Sequence, residues 1–225
     1  MKTSLQFLFL SLFILLTCSN KNIDKNTYGI DISRYQGEID WKNVKKWEDH
    51  KIEFVYIKAT EGATLVDNTY RTNLEGAKEN NLLVGSYHFF RANTPAKLQY
   101  QNFTSVVDRA EQDIIPIIDV EVMDGCSSKE FHKNFSTFLK LLENHFGKKP
   151  MIYTSNSFYN KHIALRYKGY RYFIGRYSTY KPFLADGHDW TIWQFTETGK
   201  VNGISKNVDI DIMNEKFKLS VIMMP

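Results

Sequence analysis

The stretch IIPIIDVE, which runs from Ile114 to Glu121, is an apolar segment that ends in two carboxylates. Its five aliphatic residues around one proline predict a fully buried strand. Successive side chains of a strand point to opposite faces, so Asp119 and Glu121 share one face and Val120 lies on the other. Two buried carboxylates this close push their pKa values apart, so that one stays ionised and the other keeps its proton. Glycoside hydrolysis uses this arrangement, and the alternative is a pair of loop or helix-capping acids just past a strand.

Short apolar runs alternate with segments of helical periodicity along the first two thirds of the chain. The predicted strands are Tyr28–Ile32, Phe54–Ala59, Leu83–Phe89, Ile114–Val120 and Met151–Tyr153. The predicted helices between them are Trp41–Glu48, Tyr70–Asn80, Lys97–Arg109 and Lys129–Phe146. Ser127 or Ser128 is predicted to cap the last helix, and Gly147 to end it. This alternation predicts a parallel sheet.

Three further strands follow with too little sequence between them for full helices. They are predicted at Tyr172–Gly175, Thr191–Phe195 and Val208–Ile212. Five β/α units and three closely connected strands make eight. The chain is therefore predicted to be an α/β protein with a closed, TIM-like barrel of the form (β/α)5(β)3.

Polar and aromatic side chains gather at the predicted strand ends. They are Asp31, Lys58, Thr60, Glu61, His88, Asp119, Glu121, Tyr153, Arg176, Trp193, Gln194, Asp209 and Asp211. In barrels of this type the active site is built at the carboxyl ends of the strands. Packing alone explains such a set poorly, so the sequence predicts an acidic site at this end of the barrel.

Six motifs, in order along the chain, carry a resemblance to a known family. They are YGIDIS (28–33) with YQG (35–37) and IDW (39–41), FVYIKATEG (54–62), GSYHF (85–89), DVE (119–121), PMIYT (150–154) and WQFT (193–196). From about Tyr28 to Phe217, the chain resembles the glycoside hydrolase family 25 lysozymes, which are N-acetylmuramidases. Each motif alone is weak evidence for the family, whereas all six in the family's order are specific to it.

The resemblance implies an eight-stranded barrel with about five helices and a retaining β-1,4-N-acetylmuramidase activity on peptidoglycan. It also implies four active-site acids, which are Asp31, Asp119, Glu121 and Asp209. Asp211 stands where the family commonly has Asn, and it shares a strand face with Asp209, so either acid is a candidate to face the site. Glu121 is expected to be the general acid and base. Asp119 is expected either to attack the anomeric carbon or to orient the substrate's own N-acetyl group.

Seven side chains are predicted to contact substrate around these acids. They are Tyr153, Trp193, Lys58, Glu61, His88, Arg176 and Asp211. The two aromatic rings suit sugar stacking or, alternatively, packing at the barrel rim. Lys58 and Glu61 either contact sugar or form an ion pair with each other. His88 is more typical of a satisfied strand-end histidine, and Arg176 suits an anionic lactyl or peptide carboxylate.

The first residues are typical of an export signal. Lys2 precedes an apolar run from Leu5 to Leu16, which is too short to span a membrane. This predicts a signal peptide over 1–17, a polar tether over 18–27 and the barrel domain over 28–225. Cys18 ends a stretch that resembles a bacterial lipobox and is predicted to be lipidated, with plain signal-peptidase cleavage as the alternative. The protein is therefore expected to be exported, and to contact a membrane only through this anchor.

Composition and residue spacing limit the kinds of partner and cofactor that the protein is expected to bind. The formal net charge of +4 is spread along the chain without a basic block, so no nucleic-acid partner is expected. The six histidines lack metal-binding spacing and no phosphate-binding glycine loop is present, so no metal or cofactor is expected. The expected partner is the glycan strand of peptidoglycan, bound by a monomer. Alternatives are a catalytically silent glycan-binding protein on the same barrel and an enzyme that acts on chitin.

Overall fold

The computed structural model describes residues 26–225, so the predicted signal peptide, Cys18 and most of the tether lie outside the described residues. Eight strands close into a barrel, as the sequence predicts. They are β1 (Tyr28–Ile32), β2 (His50–Glu61), β3 (Leu83–Phe89), β4 (Ile117–Asp119), β5 (Met151–Ser155), β6 (Tyr172–Gly175), β7 (Ile192–Gly199) and β8 (Val208–Met213). Two short strands, Lys46–Trp47 and Leu65–Val66, pair with β2 outside this closed set.

Strand direction decides which residues meet at the rim of the barrel. Strands β1 to β7 run parallel to one another, and β1 closes the barrel by pairing with both β2 and β8. Strand β8 is antiparallel to β7 and to β1. The beginning of β8 therefore lies at the same rim as the carboxyl ends of the other strands.

Four α-helices lie in the described part of the chain, one fewer than the resemblance implies. They are α1 (Tyr70–Glu79), α2 (Ala96–Val106), α3 (Ser128–Phe146) and the single turn α4 (Asn156–Phe158). The predicted ends of α3 are confirmed. The Ser127 hydroxyl and the Glu130 carboxylate form a reciprocal capping box, and Gly147 ends the helix with a φ of 69°.

The predicted helix Trp41–Glu48 is wrong. A 3-10 turn at Trp41–Asn43 leads instead into the short strand Lys46–Trp47, which forms a hairpin with the start of β2. The three-residue spacing of Trp41, Val44 and Trp47 resembles a helix face. The Trp41 ring lies so close to Gly76 that a Cβ there would meet Trp41 Cδ1 at 2.2 Å, so tertiary packing overrides the local pattern.

Apolar side chains fill the space on both sides of the barrel wall. The outer layer packs between the strands and the helices, and the inner layer fills the barrel below the rim with residues such as Phe54, Ile117 and Phe173. The predicted strand at Ile114 is shorter than expected, because the Ile115 N–H donates to Ile222 O near the chain end. Because apolar side chains fill the lower part of the barrel, the polar side chains that face the interior lie in its upper part. No helix among residues 26–225 is long and apolar enough to cross a membrane.

Candidate active site

Asp119 and Glu121 stand together at the carboxyl end of β4. Both line one cleft, whereas the intervening Val120 is buried and its N–H donates to Tyr153 O at 3.0 Å. The two carboxyl groups lie within hydrogen-bonding reach of each other. The alternation of side chains along an extended backbone produces this arrangement.

The cleft has a volume of about 370 Å³ and opens at the rim. Its wall is rich in acids and aromatic rings. The acidic and basic side chains that line it are Asp31, Lys58, Asp119, Glu121, Glu197 and Asp209. Lys58 is therefore the one cationic side chain among the described lining residues, and the cleft carries an excess of carboxyl groups. No cluster of three or more metal-ligating side chains was found among residues 26–225.

Burial raises the pKa of both members of the central pair. The pKa of Asp119 lies well above its usual range, because burial and then the charge of Glu121 disfavour its ionised form. Burial also raises the pKa of Glu121. The sequence predicts that one member stays ionised while the other keeps its proton, with Glu121 as the acid. The structure differs because Asp119, only 8% exposed, is also buried and its pKa is raised as well. The pair is therefore disposed to retain a proton.

Asp31 and Asp209 extend the acidic wall across the barrel. They occupy opposite positions in the antiparallel pair of β1 and β8, which is why a residue at the start of β8 reaches the rim. Burial raises the pKa of Asp31 to about 6, against hydrogen bonds from Gln194 and Asp211 that lower it. Burial, together with the charges of Asp31 and Glu197, raises the pKa of Asp209 to about 8. Of the two candidate acids on β8, Asp209 is the one that lines the cleft.

Gln194 links three side chains of the cleft. The sequence places it at the end of the seventh strand but does not assign it to catalysis or substrate binding. Its carboxamide oxygen accepts hydrogen bonds from the Tyr153 hydroxyl at 2.7 Å and the Tyr177 hydroxyl at 3.0 Å. Its amide nitrogen donates to Asp31 Oδ2 at 2.6 Å. Because the Asp31 carboxylate can only accept, the nitrogen of the Gln194 amide must face it, and the amide oxygen then accepts from both tyrosines, which joins all three side chains in one network.

Aromatic side chains line the cleft beyond those predicted. They are Tyr35, Tyr56, Tyr87, Phe89, Phe173 and Tyr177, beside the predicted Tyr153. Tyr35 and Tyr177 are 66% and 53% exposed, so their rings are open to a ligand. Tyr35 lies in the 3-10 turn after β1, and Tyr177 lies in the loop after β6. Tyr35 belongs to the YQG motif, which is the one sequence signal that points to it.

Lys58 and Glu61 form the ion pair that the sequence offered as an alternative to sugar contact. Their charged groups are 2.7 Å apart, and Glu61 also binds the Arg91 guanidinium at 2.5 Å. These contacts lower the pKa of Glu61 against the opposing effect of burial. Lys58 lines the cleft, whereas Glu61 does not, so Glu61 and Arg91 hold the Lys58 ammonium beside the acids.

His88, Trp193 and Arg176 are not brought into the cleft. The two His88 ring nitrogens contact Thr60 Oγ1 at 2.7 Å and Gln99 Oε1 at 3.1 Å, and burial lowers the pKa of His88 to about 4. His88 is therefore a neutral, satisfied histidine behind the sheet.

Trp193 and Arg176 lie outside the cleft and are joined by a hydrogen bond. Trp193 is 8% exposed and donates its ring N–H to Arg176 O at 2.8 Å. The Arg176 guanidinium donates to Asn156 Oδ1 at 3.3 Å and to Lys181 O at 3.0 Å. Trp193 thus points away from the interior while its neighbour Gln194 points in, and Arg176 fastens the loop that carries Tyr177.

Comparison with known proteins supports one assignment. The model of the family described as "Glycosyl hydrolases family 25" matches residues 30–204. An uncharacterized protein, YegX, of Escherichia coli O157:H7 is 38% identical over 83% of this chain and 69% of its own length. An "Autolytic lysozyme" of Clostridium acetobutylicum is 35% identical over 83% of this chain and 56% of its own length.

A solved structure agrees with these sequence matches. A family 25 glycosyl hydrolase from Bacillus anthracis superimposes with a TM-score of 0.76 at 32% identity, covering 84% of this chain and 90% of that chain. The fold and the sequence matches agree across most of the chain. The protein therefore belongs to glycosyl hydrolases family 25 and is a glycoside hydrolase.

Proposed function

We propose that the protein is a muramidase that cleaves the β-1,4 bond between N-acetylmuramic acid and N-acetylglucosamine in peptidoglycan, with retention of configuration. The observation that carries this proposal is the pair Asp119 and Glu121, two carboxyls within hydrogen-bonding reach at an open cleft. Retaining glycosidases need two carboxyl groups only about 5 Å apart, without room for a water molecule between them. The printed names of relatives, such as the autolytic lysozyme, support peptidoglycan as the substrate.

In this mechanism Glu121 donates a proton to the glycosidic oxygen as the bond to the anomeric carbon breaks. Asp119 either attacks the anomeric carbon or orients the substrate's N-acetyl group, whose oxygen then attacks. Glu121, now ionised, takes a proton from water in the second step. The water oxygen bonds to the anomeric carbon as the new hydroxyl, and the bond from that carbon to Asp119 or to the N-acetyl oxygen breaks. Burial raises the pKa of both Glu121 and Asp119, so the pair holds a proton, and in the proposal Glu121 delivers it to the glycosidic oxygen.

The surrounding side chains have separate tasks in the proposal. Lys58 lies close enough to Asp119 to oppose the rise in its pKa that burial and Glu121 cause, so in the proposal the ammonium stabilises the carboxylate when Asp119 ionises. Asp31 and Asp209 adjust the charge of the pair and accept hydrogen bonds from sugar hydroxyls. The exposed rings of Tyr35 and Tyr177 give apolar surfaces for sugar faces.

Export is part of the proposed function, because peptidoglycan lies outside the cytoplasm. We propose that residues 1–17 are removed as a signal peptide and that Cys18 carries a lipid anchor, with plain signal-peptidase cleavage as the alternative. The barrel domain over 28–225 then acts as a monomer at the end of the tether 18–27.

The decisive experiment identifies the new reducing end. Purified peptidoglycan is digested with the protein, the products are reduced, and mass spectrometry reads which sugar carries the alcohol. Fragments that end in reduced N-acetylmuramic acid are expected. Ends in reduced N-acetylglucosamine, or release from chitin oligomers alone, would contradict the muramidase assignment. Tight binding to walls without release would favour the silent glycan-binding alternative.

Replacing Gln194 with Met should lower kcat on peptidoglycan about 10- to 100-fold, because Asp31 loses a donor to a charged group. Tyr177→Phe is the matched control, since it removes one hydroxyl from the same network and keeps the ring. We expect that control to retain kcat within about threefold. Initial rates of reducing-end release test both variants, and equal losses would show that Gln194 does not organise the network.

A further inference from the structure

Asp211 is a carboxyl group sealed inside the barrel below the cleft. It lies on β8 two residues further from the rim than Asp209, opposite Gly29 of β1 and Gln194 of β7. Its exposure is 0%, and neither of its oxygens meets an N–H or O–H donor among the described residues. Placing a bare carboxylate there removes its hydration without replacing it by hydrogen bonds. The neutral acid is therefore the stable form.

The groups that face Asp211 favour the same conclusion. They are the carboxyls of Asp31 on β1 and Asp209 on β8, and the phenol of Tyr56 on β2. None of these three carries a positive charge, so the described residues that act on Asp211 include no cation that would balance a carboxylate there. A neutral carboxylic acid also has an O–H that needs an acceptor. Asp31 lies within hydrogen-bonding reach and supplies one.

Asp31 is thereby approached by two donors. The Gln194 amide reaches Asp31 Oδ2 at 2.6 Å from β7, and the Asp211 carboxyl reaches the same side chain from β8. A carboxylate that accepts two directed hydrogen bonds has a fixed orientation and a more stable negative charge. Asp31 itself lines the cleft, so its orientation determines where its charge lies at the site.

We propose that Asp211 is a positioning residue that stays protonated inside the barrel and donates its carboxyl hydrogen to Asp31, holding Asp31 as an oriented carboxylate at the cleft. The proposal rests on the proposed function for the role of Asp31, whereas the protonation of Asp211 stands independently of it. Burial raises the pKa of Asp211 well above its usual range, and the hydrogen bonds to Asp31 oppose the rise in the pKa of Asp31.

Two variants of Asp211 separate the donor from the charge. Asp211→Asn keeps a donor toward Asp31 and cannot ionise, so it should retain kcat within about threefold. Asp211→Leu keeps the number and branching of the side-chain heavy atoms and removes the donor, so kcat should fall about 10- to 100-fold with a smaller change in KM. Ile212→Val on the same strand controls for a mild change of packing and should leave kcat unchanged.

Thermal stability tests the protonation without any substrate. The unfolded chain ionises Asp211 above about pH 4, whereas the folded protein keeps it neutral, so its contribution to stability falls as pH rises toward its raised pKa. Asp211→Asn has no such loss. The Tm of Asp211→Asn minus that of the wild type should therefore grow by about 8–16 °C between about pH 5 and about pH 8, since Asp211 stays protonated in the folded protein over this interval.

The outcomes distinguish this proposal from the proposed function. A Tm difference that stays constant with pH would overturn the protonated state of Asp211, whatever the activity. An Asp211→Asn variant that loses as much kcat as Asp211→Leu would overturn the donor role. A wild type that releases nothing from peptidoglycan would instead overturn the proposed function, and the Tm series would still decide the state of Asp211.

Discussion

Replacing Glu121 with Gln is expected to lower kcat on peptidoglycan about 10²- to 10⁴-fold, the contribution typical of a positioned general acid and base. The amide has nearly the same shape as the carboxyl group but cannot donate a proton to the glycosidic oxygen or take one from water. KM should change much less, because sugar contacts along the cleft remain. Initial rates of reducing-end release, with wall binding measured in parallel, test this expectation.

The matched control is Glu197→Gln, the same chemical change in the same cleft wall. Glu197 acts electrostatically on Asp209, so its replacement should change kcat by less than about tenfold. Comparable losses in the two variants would mean that the total negative charge of the cleft matters, and would contradict a specific proton transfer by Glu121.

The pH dependence of activity should reflect the same proton transfer by Glu121. Because burial raises the pKa of Glu121, the acid stays protonated to higher pH than an ordinary glutamate, and activity should fall as pH rises through the apparent pKa of the coupled pair. Activity should also fall at low pH, as Asp31, with a pKa raised to about 6, becomes protonated. Glu121→Gln should lose the alkaline decline in its residual activity.

Replacing Asp119 with Asn is the second large change, with an expected loss of about 10²- to 10³-fold in kcat. The carboxylate is needed whether it attacks the anomeric carbon or orients the N-acetyl group that attacks. The buried position of Asp119 means that no water replaces its charge. Rates on peptidoglycan fragments test the loss, and a variant with nearly full activity would contradict both roles.

Mass spectrometry of the intact protein separates the two roles of Asp119. Direct attack joins a sugar to the Asp119 oxygen, so a slowly hydrolysed substrate should leave a covalent adduct on the wild type and none on Asp119→Asn. Attack by the N-acetyl group leaves the protein mass unchanged. Both routes retain the anomeric configuration, so an inverted product seen by NMR would contradict the proposed mechanism itself.

Much of the fold follows from local pattern. Three strands, at Tyr28–Ile32, Leu83–Phe89 and Tyr172–Gly175, have the predicted bounds, and α3 begins and ends at the predicted caps. These signals are short-range, because side-chain alternation and helix capping depend on neighbours in the chain. The error at Trp41–Glu48 arose where a tryptophan packs against α1, a contact that no local pattern contains.

The sequence by itself determined the barrel, the family and the pair Asp119 and Glu121. Strand periodicity is a local property, and the motifs and their order can be read directly along the chain. Only the tertiary structure decided which of the other side chains face into the barrel and how deep each one lies. It turns Gln194 into the barrel and its neighbour Trp193 out of it, and it sets Asp211 below Asp209 on the same face of β8. The physical reason is that depth in a barrel and hydrogen-bond partners depend on distant strands. The bond between Gln194 and Asp31 joins residues 163 positions apart, and only closure of the barrel brings them together.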